Sequence, residues 1–267
     1  MERWLPLILT VIVSTIGIHR ASKTCSIYPV SNQSQVLVLP KEPRYAISIT
    51  YPELVQEERL RDILEKTGQS VKEEFIKNIP DLQYFPDLTK RKFTLFLTFS
   101  IISQTEELIS IRGSGGADTG GAHPLPIEMS FIYNKQAQRI ITFNDLFIDP
   151  QTARQQFSKF SRTVLKEKLL NQISSQLSNM QVQQEQYKFI TEAINEGTQP
   201  IQSNFSEFIL LATDASSKIN ILQLIFPPYQ VVPYVYGTQV VEIPLKIFAD
   251  FINPIYKSMF AVNETKP

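Results

Sequence analysis

Residues 111–147 read IRGSGGADTGGAHPLPIEMSFIYNKQAQRIITFNDLF, a stretch that holds five of the nine glycines in a 267-residue chain. Gly113, Gly115, Gly116, Gly120 and Gly121 lack the Cβ that forbids positive φ, so a tight and irregular connection is expected here. Extended patterns flank it, at 93–103 before and at 126–133 and 139–143 after. The stretch therefore reads as a seam between two sheet-forming halves. The fold class that follows is α+β.

Upstream of the seam, Phe93, Leu95, Leu97, Phe99 and Ile101 alternate without a miss, and Thr94, Thr98 and Ser100 take the other face. That period of two predicts the clearest strand in the chain, with 107–112 as its hairpin partner. Residues 44–50 alternate in the same way through Tyr45, Ile47 and Ile49. Between these strands Leu60, Ile63, Leu64, Val71, Phe75 and Ile79 recur at helical spacing, although Gly68 argues against one unbroken helix. Downstream, 127–133 and 139–143 bracket a second hairpin. Asp149 before Pro150 is an N-cap with proline at the first helical position. The helix it opens carries Phe157, Phe160, Val164, Leu169, Ile173 and Leu177, and a second helical piece spans 183–194. A third hairpin is expected from 205–213 and 218–226, short strands at 231–236 and 238–243 around Gly237, and a terminal helix from Pro244.

The N-terminus reads as targeting. Residues 4–18 are almost wholly apolar but span only about 22 Å as a helix, short of the roughly 30 Å of a bilayer core. Residues 1–24 are thus expected to be a signal peptide or N-terminal anchor. Cleavage after Thr24 would leave Cys25 first and make it the candidate for lipidation, although Lys23 and Ser22 stand where a lipobox carries a small residue and a leucine. Residues 25–43 are polar and proline-punctuated, as in a linker.

Composition limits the chemistry. With 26 basic and 26 acidic residues the chain has no net charge, so nothing supplies the positive field that nucleic-acid binding needs. One cysteine and two histidines, His19 and His123, cannot build a Cys/His zinc site, and no calcium-loop pattern is present. Neither a metal nor another cofactor is expected.

Four short motifs occur in order: Tyr51-Pro52-Glu53-Leu54, Gly120-Gly121-Ala122-His123, Thr142-Phe143-Asn144-Asp145-Leu146-Phe147, and the segment from Phe226 through Tyr229, Tyr234 and Gly237 to Pro244. Together they resemble the RsiV-like C-terminal domain family, preceded by the small domain found at the front of PdaC-type peptidoglycan deacetylases. The resemblance implies a PdaC-like α/β domain over 44–123 and an RsiV-like α+β domain over 124–260, both outside the cytoplasm. It further implies a receptor module for a lysozyme-like protein or for peptidoglycan. Only Met1, Glu2 and Arg3 precede the apolar segment, and no deacetylase domain follows Pro254, so neither sigma-factor signalling nor deacetylation carries over.

Several residues have two readings. His123, between glycines and Pro124, could fix its loop through a ring N–H, contact a partner, or act as a base with a nearby acid in a cell-wall hydrolase or deacetylase-type enzyme. Tyr229, Tyr234 and Tyr236 form an aromatic, proline-rich patch that serves either as a binding surface or as core. Gly120 and Gly121 are read as setting loop geometry. Asp145 is read as a turn cap rather than a catalytic acid. The glycine run lacks both the Gly-Lys-Ser/Thr ending of a phosphate loop and the fifth position of a nucleophile elbow. No catalytic residue is therefore assigned. The function expected is an exported envelope module that binds a protein or glycan partner and meets the membrane only through its N-terminal segment or a lipid.

Overall fold

The computed structural model describes residues 44–54, 56–81, 92–176, 180–213 and 218–262. The export segment, the linker and Cys25 lie outside the described residues. From Arg44 onward the chain forms one compact unit.

Its first half builds a five-stranded sheet in the order β1 (Tyr45–Thr50), β2 (Phe93–Gln104), β3 (Leu108–Asp118), β4 (Leu125–Asn134) and β5 (Arg139–Ile140). β1 pairs parallel to β2, which requires a crossover, and the helix α1 (Glu58–Lys77) supplies it. The other pairings are antiparallel. α1 buries Leu60, Leu64, Val71 and Phe75 against Phe93, Leu95, Leu97 and Phe99, the alternating face of β2. Gly68 does not break this helix. A Cβ there would stand 2.2 Å from the hydroxyl oxygen of Tyr51, so the glycine admits the tyrosine ring that stacks on Phe99 at 5.4 Å.

The second half continues with α2 (Phe143–Leu146), the long α3 (Pro150–Gln176) and α4 (Met180–Gly197). A second sheet follows, β6 (Phe208–Leu211), β7 (Ile221–Phe226) and β8 (Gln239–Pro244), antiparallel throughout, and then a short helix α5 (Leu245–Phe248). Asp149 caps α3 as its place before Pro150 predicts, accepting from the amides of Gln151 and Thr152. Phe143, Phe147, Phe157 and Phe248 meet mainly edge-to-face in the core between α3 and this sheet. The α+β class read from the sequence is the observed one.

Three expectations are corrected. Gly113, Gly115 and Gly116 do not form an irregular connection; they lie within β3, and of the five glycines only Gly120 has positive φ, at 102°. They are glycines because neighbours crowd the strand: a Cβ on Gly115 would stand 2.0 Å from the carbonyl oxygen of Phe96, and one on Gly113 2.7 Å from Met129 Cγ. The expected seam is therefore the tip of a long hairpin, paired from Leu108–Asn134 to Ala117–Leu125. Residues 231–236 are not a strand, because Pro227, Pro228 and Pro233 withhold ladder donors and the chain makes a 3₁₀ turn at Tyr234–Tyr236 instead. The terminal helix shrinks to α5, followed by 3₁₀ turns at Ala249–Phe251 and Pro254–Met259.

The two sheets are joined edge to face. Successive inward amides of β6 and the residue after it donate to serine hydroxyls of the first sheet: Phe208 to Ser130 at 2.9 Å, Leu210 to Ser110 at 3.3 Å and Ala212 to Ser103 at 3.2 Å. Ser110 also donates to the Leu210 carbonyl at 2.7 Å. Ser103 reaches this face because the β2–β3 register slips by one residue between Ile101 and Ser103. The bulge reverses the alternation and sets Ser103 opposite Ser110.

Candidate functional site

The tip of the β3–β4 hairpin carries His123. Gly120 turns the chain with its positive φ, and its amide donates to Asp118 Oδ1 at 2.9 Å. Gly121 has no positive φ, and a Cβ there would meet only the His123 carbonyl oxygen, at 3.6 Å. The imidazole lies on Tyr234, ring centroids 3.9 Å apart and planes within 14°. Tyr229 flanks it at 5.7 Å and 28°, and its hydroxyl is hydrogen-bonded to His123 Nε2. Nδ1 lies 3.1 Å from the Pro124 carbonyl oxygen, which can only accept. In the neutral ring the proton therefore sits on Nδ1, and Nε2 accepts from the tyrosine.

The tyrosines are placed by the connection between β7 and β8. Val231 and Val232 are buried and anchor it. The side-chain amide of Gln230 ties it to the carbonyl oxygens of Gly197 and Asn204 at 2.9 and 3.0 Å. Tyr229 pays for this with a φ of 73°, a left-handed conformation unusual outside glycine, asparagine and aspartate. Tyr229 remains 47% exposed, and Val235 in the following turn is 84% exposed.

Three of the four residues expected to bind, His123, Tyr229 and Tyr234, are thus brought together. Tyr236 is turned to the other side of the 3₁₀ turn, where it packs against the core. With Ile173, Val182, Gln186, Phe189, Pro233 and Val235 it lines a groove of about 490 Å³ between this turn and the α3–α4 helices.

A polar cluster beside this surface has no counterpart in the sequence reading. Arg112 Nε and Nη2 donate to the two carboxylate oxygens of Glu128 at 3.0 and 2.8 Å, and Thr238 Oγ1 donates to Glu128 Oε1 at 2.6 Å. Ser130 Oγ donates to Glu207 Oε2 at 3.0 Å. Burial pushes the Glu207 carboxyl up to about 7; hydrogen bonds from Ser130 and Ser206 oppose the rise and the charge of Glu128 adds to it. The sequence signal was Glu128 as the one charged residue of its strand, and it points to a paired buried charge only once Arg112 is known to run alongside. Asp145 forms a capping box with Thr142 and an ion pair with Arg139 at 3.2 Å. Burial opposes its ionisation, yet the Thr142 donors and Arg139 outweigh it and hold the carboxyl below its ordinary range.

With this geometry in hand, the chain can be set beside known folds. Over 81% of its length it superposes on 87% of a DUF3298 family protein from Pseudomonas aeruginosa PAO1, with a TM-score of 0.51 and 16% identity. A DUF3298 family member from Bacteroides fragilis NCTC 9343 gives a TM-score of 0.45 and 14% identity over 74% of this chain and 72% of that one. No family model and no curated protein matches the sequence. At this identity the likeness to the Pseudomonas protein concerns the fold, and both of these neighbours are DUF3298 proteins. Among the described residues no group of three metal-ligating side chains is assembled, and no helix is long and apolar enough to cross a membrane.

Proposed function

We propose that the unit from Arg44 onward is an exported recognition module that binds a protein or glycan of the cell envelope through the His123–Tyr229–Tyr234 surface. The observation that carries this reading is Tyr229: a large aromatic ring kept near half exposure on a left-handed backbone that costs about 1–2 kcal/mol. A stacked and hydrogen-bonded aromatic surface held in the open by that backbone is suited to contact. Tyrosine and imidazole rings present flat apolar faces with polar rims, which match both a protein hot spot and the C–H face of a sugar. Lysozyme-like proteins and peptidoglycan are the partners favoured by the sequence resemblance, and they define the test. The protein is incubated with purified peptidoglycan and, separately, with lysozyme. One of the two is expected to be retained, with Tyr229→Ala and Tyr234→Ala each weakening retention by about tenfold or more, as hot-spot truncations do. Equal retention by the variants would sink the proposed surface, and retention of neither ligand would sink the choice of partner.

A further inference from the structure

The aromatic surface draws on both sheets. His123 comes from the β3–β4 hairpin of the first, and Tyr229 and Tyr234 from the β7–β8 connection of the second. Two side-chain bonds between the sheets converge on neighbouring carboxyls. Thr238, the residue after Gly237 at the end of the tyrosine turn, is held on Glu128, and Glu207 at the entry to β6 is held by Ser130, two residues along the same strand as Glu128. The charged group facing Glu207 is Glu128 from β4, whose carboxylate accepts two N–H bonds from Arg112 of β3. Thr238, just before β8, and Ser206 beside Glu207 contribute hydroxyls and no charge. Two carboxyls therefore share a part-buried junction in which the Arg112 guanidinium bonds to Glu128, and ionising Glu207 adds a second negative charge beside the first.

We infer that Glu207 is a proton-operated regulator of the aromatic surface: protonated, it leaves Glu128 undisturbed in holding the tyrosine turn; ionised, it repels Glu128 and shifts the Thr238 end of that turn relative to His123. As regulation of binding, this rests on the reading that the surface binds. The carboxyl's elevated affinity for its proton places the response near neutral pH.

Gly237 offers a probe that needs no ligand. It is the one glycine in the chain preceded by tyrosine, so labelling tyrosine at its carbonyl carbon and glycine at its nitrogen isolates its amide signal by NMR. In the full chain that signal is expected to titrate with a midpoint near pH 7. The titration should vanish in Glu207→Gln, persist in His123→Ala, and move to lower pH in Glu128→Gln, where the repelling charge is gone. A pH-independent Gly237, or a titration that survives Glu207→Gln or is lost in His123→Ala, overturns the proposal. If Glu207→Gln does not fold, the Glu128→Gln midpoint decides, and an unmoved midpoint overturns it. A protein whose Gly237 titrates as expected but which retains neither lysozyme nor peptidoglycan keeps the proton response and loses the binding reading.

Discussion

Glu207 links folding to proton uptake in a direction opposite to most carboxylates. Its folded-state value near 7 lies above its ordinary 4.5, so the folded protein holds a proton that the unfolded chain has released between those values. The stabilisation is complete below about pH 4.5 and is lost as pH rises through about 7. Allowing for partial exposure, it amounts to about 2–3 kcal/mol. Thermal unfolding at pH 5 and pH 8 checks this: Glu207→Gln should remove several degrees of the wild-type drop, at roughly 2–4 °C per kcal/mol for a chain of this size. An equal drop in both proteins would reassign the pH dependence elsewhere. Tyr229 invites a different substitution. Asparagine tolerates its left-handed φ, so Tyr229→Asn should unfold within about 1 kcal/mol of wild type while losing ligand retention, separating strain from contact.

At the level of elements, the serine row decides how the two sheets meet. Ser110 is fully buried and serves both the amide and the carbonyl of Leu210, so Ser110→Ala leaves two backbone groups unpaired and should cost about 2–4 kcal/mol in urea unfolding. Ser103 is half-buried and makes one such bond, and Ser103→Ala should cost about 1 kcal/mol. Equal costs would mean that the row is not the joint. None of this could be read in the sequence, because Ser103 faces the second sheet only through the bulge at Ile102, and a period-two reading assigns it to the wrong side. The strand cores were legible for the converse reason: Phe93, Leu95, Leu97 and Phe99 keep strict alternation where the ladder is regular. The glycines of β3 were misread because crowding by Phe96, Phe99 and Met129 is a tertiary fact, whereas the composition alone speaks of turns.

At the scale of the molecule, the hairpin that crosses residues 123 and 124 binds the first sheet together. A chain cut there strips β4 from β3 along ten paired residues and exposes Ile109 and Ile111 on an open edge. Fragments 44–123 and 124–260 are therefore expected to lack cooperative unfolding when expressed apart, measured by circular dichroism on heating; independent sharp transitions would show two folding units. The candidate site was partly legible at this scale. His123, Tyr229 and Tyr234 stood out as aromatics among prolines and glycines, and the fold brings them together across 106 residues. Tyr236 followed the other side of a turn that no pattern announced. Glu207 and the Thr238 contact of Glu128 went unseen because the bonded residues lie 77 and 110 apart in the chain, and the Arg112–Glu128 pair, 16 apart, shows only once the β3–β4 register is known.

The edge-to-face joint also makes three peptide groups into reporters. Because Phe208, Leu210 and Ala212 give their amide protons to hydroxyls of another layer rather than to a neighbouring strand, those protons are released only when the layers part. Deuterium uptake at these positions should keep step with the slowest-exchanging protons of the molecule, a clock for its opening written into three serines.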